Sequence, residues 1–421
     1  MKQSNVDIMV ETLNTLIDNC IVDDIRIDDI SNDSNDQETT WNFVEDKQYS
    51  FSHADITTLR RVISNISKSY SQLQFVSESL IKKTLVPFIH ECKRTGQKIS
   101  SYDHLYNNVI KPLCDLPLLE FEVIRPIFGL TLSSPTPITV GSFTFYDLSL
   151  HQTLLENKFS SKISPTFQTA CTASIQNTTL ISYKVNARDD EKANELSEIK
   201  FDQVQNIFRF FTAFLQDYLD VGITNYQQSN LRTLFIASRS GIKRQFKRSG
   251  SFITIDLQDM FTELKQISLD PEDLIKSLED HHCCEMKECI LTSIDLLGRA
   301  RYDRDKPIAL LESMMAVEAL IQMNTQQLVN QSISAQICEY SAFLLSEKYE
   351  ERLEIENSVK NFYRLRSKLA HGISSTISKS DISAVYTFAE SLIYLFLTKD
   401  SLKMLKSKKD LKDYIQKLKF M

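Results

Sequence analysis

From Pro271 to Met421 apolar residues recur at helical spacing almost without interruption, and this stretch reads as a succession of helices. The spacing predicts helices near 271–279, 283–301, 306–322, 328–346, 350–371, 379–398 and 407–419. A run of amphipathic helices with no strand between them hides its apolar stripes by packing helix on helix, so this part is expected to be an all-α bundle.

Upstream the texture is different. Residues 6–20 read as an amphipathic helix, and the Ser-, Asn- and Asp-rich stretch from Asp23 to Asp46 as a loop. Between Ile56 and Cys92 the helical period returns for two helices, with Pro87 expected to bend or break the second. Strands are expected at 121–124, 138–148 and 180–185, followed by a helix from Asp189 to Tyr218. Two more strand candidates, 234–237 and 252–255, flank a basic segment from Arg239 to Gly250. That segment interleaves Lys243, Arg244, Lys247 and Arg248 with Phe246 between glycines; it reads first as a solvated hairpin connection, with a loop that meets phosphate as the other reading. The fold class is therefore α+β overall: a mixed α/β N-terminal region, then an all-α bundle. The expected domains are 1–115, helical with the acidic segment; 116–270, mixed α+β, sensing or regulatory; and 271–421, helical. The last boundary falls between Gly250 and Cys289.

A chain of 421 residues exceeds one ordinary core and favours two or three domains. With 42% hydrophobic and 24% charged residues it is neither fibrous nor disordered, and a net charge of -7 argues against a surface wholly devoted to nucleic acid. The charge is uneven, acidic before Asp46 and lysine-rich after Leu397; the lysine-rich tail reads first as a solvated helix face. The eight cysteines show no framework spacing and read as reduced thiols of a cytoplasmic protein. No signal peptide is evident at the start, and the apolar stretch Ala384–Leu397, interrupted by Glu390, is too short for a membrane span. No phosphate-binding, dinucleotide or nucleophile-elbow glycine motif is present. His282 and Cys289 would share a helix face, but without a second ligand pair no metal site and no cofactor is expected.

The chemistry concentrates in Asn361-Phe362-Tyr363-Arg364-Leu365-Arg366-Ser367-Lys368-Leu369-Ala370-His371-Gly372. A guanidinium to hold an anion and an imidazole to move a proton suffice for phosphodiester chemistry. Arg366 and His371, five apart, are separated by roughly 140° on an ideal helix, whereas Arg364 and Ser367 lie nearly on the histidine's face. A helix ending at Gly372 would let a long arginine converge from either position, so geometry leaves both open. In the helix from Pro307 to Gln322, Leu310, Met314, Val317 and Ile321 form one apolar stripe, and Leu311, Met315 and Glu318 a second. Glu318 thus stands where an apolar residue is expected; either it is buried and paired, with a cation of the Arg364–His371 run the natural partner, or it lies hydrated at the edge of the helix contact.

The run from Tyr363 to Gly372, preceded by the helix containing Met315-Ala316-Val317-Glu318-Ala319-Leu320, resembles the HEPN domain of the Apea-like kind over roughly Cys289 to Met421. The family's R-x4-6-H signature is met by Arg366 with four intervening residues and by Arg364 with six; the Arg-Ser-x-x-x-His-Gly form favours Arg366. The resemblance implies a metal-independent endoribonuclease, a hydrolase-like toxin used in phage defence, abortive infection or growth arrest. His371 would be the general acid or base and Arg366 would hold the phosphate, with Glu318, Tyr363, Arg364 and Ser367 in support and Lys368 on RNA. It also implies a homodimer through the C-terminal domain that pairs two such runs in one cleft, and an N-terminal region that senses a phage or cellular trigger. Two positions depart from the family pattern: Ser367 replaces the Asn or Asp of many active members, and Ile373 replaces the Tyr that nucleotidyltransferase partners modify. A bundle that only dimerises or binds RNA or protein is the alternative.

Overall fold

The computed structural model describes residues 3–24, 42–44, 47–158, 179–215, 219, 221–223, 231–238, 241–248, 253–280, 282–303, 305–323, 332–371 and 377–420. Most of the acidic stretch, Cys171, His281, Gly372 and Ile373 lie outside them. The fold is mixed α+β, and the chain divides into two compact units, residues 1–123 with 184–197 and residues 124–183 with 198–421.

The first unit is built on helices α1 (Gln3–Asn19), α2 (His53–Ser69) and α3 (Glu78–Thr95). Strands β1 (Ile21–Asp24), β2 (Asn42–Val44) and β3 (Lys47–Ser50) form an antiparallel sheet in the order β1-β3-β2. The stripe Ile56, Leu59, Val62, Ile63 and Ile66 of α2 is buried, as the period requires. Side chains of Ser52 and Ser77 cap the starts of α2 and α3, and Gly96, at φ +67, closes α3 in the left-handed region. Pro87 lies inside α3, which continues to Thr95; the expected break is a single missing hydrogen bond. Asp189 accepts from the backbone N–H of Ser77 at 2.9 Å, fastening residues 184–197 to this unit.

The chain also forms a five-stranded sheet in the order β6-β7-β8-β4-β9. Its strands are β4 (Leu119–Phe128), β6 (Ile138–Val140), β7 (Phe143–Asp147), β8 (Thr179–Ala187) and β9 (Gly222–Ile223); β5 (Leu130–Thr131) pairs elsewhere. The pairs β6–β7, β7–β8 and β4–β9 are antiparallel. Helix α4 (Asp190–Thr212) brings Phe201 against Phe143 and Phe208 against Phe145, with ring centroids 6.2 and 5.9 Å apart.

The basic segment expected to be a loop is instead a strand. β11 (Gly241–Arg248) pairs antiparallel along its whole length with β10 (Leu231–Ser238), and the two form a separate two-stranded sheet. The chain then makes strand β12 (Ile255–Asp256), parallel to β5, and turns into helix α5 (Leu257–Gln266).

The remaining major helices are α6 (Glu285–Tyr302), α7 (Lys306–Ile321), α8 (Ile333–Leu345), α9 (Tyr349–Ala370), α10 (Lys379–Thr398) and α11 (Lys408–Lys419). Gly298 of α6 lets this helix approach α4 closely: a Cβ there would stand 2.5 Å from the Asn206 carbonyl oxygen. Leu310 and Met314 of α7, Phe362 of α9 and Val385 of α10 share one core, each side chain contributing about 2 kcal/mol by its burial. Among the described residues no helix is long and apolar enough to cross a membrane.

Candidate functional site

The site lies where α9 crosses α7. On α7, Leu310, Met314, Val317 and Ile321 are buried, while the second stripe, Leu311, Met315 and Glu318, runs along the edge of the contact. Met315 is 46% exposed; the Glu318 side chain, one turn on, retains 13%.

Its carboxylate has two partners from α9. Tyr363 donates its hydroxyl to Glu318 Oε1 at 2.9 Å, and Arg366 Nη2 donates to Oε2 at 3.2 Å. Burial and the adjacent carboxylate push the Tyr363 phenol well above its usual range, so it remains a protonated donor. The Arg366 guanidinium carbon lies 6.0 Å from the Tyr363 ring centroid, and only Nη2 is spent on Glu318. Arg366 Nε is buried without a hydrogen-bond partner among the described residues. Folded proteins seldom leave such a donor open unless a catalytic group, water or ligand takes it up.

Arg364 points elsewhere. It donates to Asn361 Oδ1 at 2.7 Å on the exposed side of α9, so the two arginines left open by helical spacing have different partners. Ser367 and Lys368 are also exposed. His371 follows the last residue of α9 at φ -92 and ψ 10, its N–H bonded to the Ser367 carbonyl at 3.1 Å and its side chain exposed. Glu318, Tyr363 and Arg366 are thus brought together, while Arg364, Ser367, Lys368 and His371 stand on the solvent side of the same helix end. Lys243, Arg244, Lys247 and Arg248 belong to β11.

A feature not read from the sequence lies behind Glu318. A cleft of about 540 Å³ is lined by Glu285, Cys289, Glu318, Lys408, Lys409 and Lys412, among others. Lys408, from the tail read as a solvated helix face, donates to the carbonyls of Ala319 and Leu320 at 2.6 and 2.7 Å, capping the end of the helix that carries Glu318. Burial lowers the Lys408 pKa and raises that of the Cys289 thiol. The signal available in the sequence was Ser407-x-x-Asp410, a capping box that sets Lys408 at the first position of α11.

Among the described residues no three His, Cys, Asp or Glu side chains converge on a common point that would suit a metal ion. A scan of the chain against protein-family models gives no match, and searches of curated proteins and of solved structures give none either.

Proposed function

We propose that the chain is a HEPN-type endoribonuclease whose site comprises Arg366 and His371, with Glu318 and Tyr363 holding Arg366 in place. The observation that carries this reading is the contact of Arg366 with Glu318, a carboxylate set in an otherwise apolar stripe, on a helix that ends at an exposed histidine. RNA brings its own nucleophile, the 2'-hydroxyl, so a protein need only align it, shift a proton and stabilise the phosphorane. His371 takes the 2'-hydroxyl proton or returns one to the 5'-leaving oxygen, and the free donors of Arg366 hold the non-bridging oxygens. The products are a 2',3'-cyclic phosphate and a 5'-hydroxyl, and the chemistry needs no metal ion.

One histidine gives one proton-transfer group, whereas in-line cleavage uses two, an acid and a base. Two protomers related by a two-fold axis supply both. Ile308 and Met315, 44% and 46% exposed on the helix that carries Glu318, offer the apolar surface for such a pairing. The N-terminal region serves as the sensor that releases the activity when a phage or cellular trigger arrives.

The test is cleavage of RNA in EDTA by the wild type, Arg366→Ala and His371→Ala. Each substitution is expected to lower the rate a hundredfold or more; cleavage that survives both removes the assignment. Growth arrest on expression, abolished by His371→Ala, reads the same site when the trigger is present only in the cell. Sedimentation is expected to give a dimer, and a monomer that still cleaves RNA would count against the paired site.

A second reading, a bundle that binds RNA or protein without catalysis, is favoured by the exposed position of His371 apart from the Glu318–Tyr363–Arg366 cluster. It predicts RNA binding with no 2',3'-cyclic ends under any activating condition.

A further inference from the structure

Lys408, Lys409 and Lys412 begin α11, and their spacing makes Lys412 the neighbour of both others on one helix face. All three line the cleft of about 540 Å³ whose walls also include Glu285 and Glu318. Most of the charge there is already committed. The Glu318 carboxylate accepts from Tyr363 and Arg366, and Glu285 Oε2 accepts from the backbone N–H of Lys408 at 3.0 Å. The Lys408 ammonium is turned into the carbonyls of Ala319 and Leu320. Asp410, the acid beside Lys409 in sequence, gives its carboxylate to the N–H groups of Lys406 and Ser407, both at 3.0 Å.

Among the described residues neither Lys409 nor Lys412 makes an ion pair or a hydrogen bond through its side chain. Two ammonium groups of the same sign therefore stand uncompensated on the wall of a concave site, an arrangement that draws in an anion. The amides that start α11 are not the source of this attraction, because that of Lys408 goes to Glu285 and that of Asp410 to Ser407 Oγ. The lysines are also presented from a fixed backbone. The Met286 N–H donates to the Lys406 carbonyl at 3.2 Å and Glu285 accepts from Lys408, which ties α11 to α6, while the Lys408 side chain ties it to α7. Binding then orders only two side chains.

Glu318 belongs both to the cleft and to the Arg366 cluster, so the cleft begins where the proposed catalytic site ends. A polymer with one phosphate per nucleotide that lays its scissile phosphate on Arg366 carries a neighbouring phosphate past Glu318 towards the lysines. A free phosphate monoester has no such second anchor.

We infer that this cleft is a subsite for the RNA backbone, in which Lys409 and Lys412 hold the phosphate next to the scissile one. The inference rests on the ribonuclease reading of the Arg366–His371 site for the choice of RNA among phosphate-bearing ligands.

The test compares the full-length wild type with Lys409→Gln/Lys412→Gln and with a charge-matched control, Lys399→Gln/Lys417→Gln, whose lysines are exposed outside the cleft. Circular dichroism checks that each folds. Cleavage is measured on a dinucleoside monophosphate, which has only the scissile phosphate, and on trinucleoside diphosphates that add one phosphate on its 5' or its 3' side. The wild type is expected to prefer one of the longer substrates about tenfold in kcat/KM, through KM, because the added contact is made in the ground state as well. The cleft variant should lose that preference and the control should keep it. Binding is read in parallel, on the same chains carrying His371→Ala, with a fluorescent single-stranded RNA of about six nucleotides. The cleft variant is expected to bind about tenfold more weakly near 0.1 M salt, with a log-log salt slope flatter by about 0.7 for the one phosphate no longer neutralised.

Unchanged affinity and salt slope in the cleft variant, or an equal loss in the control, would overturn the inference. So would inorganic phosphate that alters cleavage of the dinucleoside monophosphate through Lys409 and Lys412 while the length preference ignores them, since the cleft would then take a free phosphate ligand. Lysine-dependent RNA binding by a protein that never cleaves would remove the ribonuclease reading and leave the subsite standing. Cleavage that is lost in His371→Ala but indifferent to the two lysines at every substrate length would do the reverse.

Discussion

In the first unit α2 turns five aliphatic side chains inward, and the buried titratable group on α3, His90, is held neutral. In the larger unit α7 carries Glu318 into contact with an arginine and a tyrosine, and Arg301 meets Glu390 of α10 at 4.0 Å. In the first unit the α2 contact with the core is made by hydrocarbon. The other keeps charge in its helix contacts, where desolvation cancels much of the Coulomb attraction and an apolar replacement would often be as stable. Charge retained at such a cost points to a role other than holding the fold together.

The most severe way to break this comparison is to replace the cluster with Glu318→Leu, Tyr363→Phe and Arg366→Met together. Urea denaturation is expected to show stability unchanged or raised by up to about 2 kcal/mol, while RNA cleavage falls a hundredfold or more. A large loss of stability would show that the cluster is structural. Arg366→Ala alone, which strands Glu318 with only the tyrosine, is expected to cost about 2 kcal/mol. That is below the cost of breaking a fully buried pair, because the arginine is 34% exposed.

Acid attacks the other side of the comparison. Burial pushes the His90 imidazole down from 6.5 to about 4, so its neutral form is favoured in the fold. The stability of the first unit is then complete above the unfolded value, near pH 6.5. It drains as pH falls towards 4, because the unfolded chain takes up a proton that the folded one refuses. The loss is on the order of 3 kcal/mol. Chemical denaturation at successive pH values measures it, and His90→Leu should flatten the profile across that window.

Smaller effects sharpen the picture of the helices around the site. Gly298→Ala forces a methyl group onto the Asn206 backbone and is expected to cost about 2 kcal/mol, read as a lower melting temperature. Ser378→Ala removes a capping box from the start of α10 and is expected to cost about 1 kcal/mol.

The C-terminal helices were legible because each repeats its apolar residues over three turns or more, and Glu318 was conspicuous as the polar residue in such a repeat. What one helix could not reveal was which arginine met it. That depends on how α9 is rotated against α7, and the rotation sends Arg364 to Asn361 and Arg366 to Glu318. The basic segment reads as a loop because between its strand candidates it lacks the Asn-Gly or Asp-Gly signal of a tight hairpin. Its cations and bounding glycines also imitate a loop. The contact of Lys408 with Ala319 and Leu320 joins residues 89 and 88 positions apart, beyond the reach of any local pattern.

That last contact bears on how the chain is made. Two carbonyls at the end of the Glu318 helix wait for a side chain 89 residues further on, so the helix is not fully capped until Lys408 has left the ribosome. A nascent chain thus carries Glu318 through the synthesis of residues 319–408 without the side chain that caps its helix.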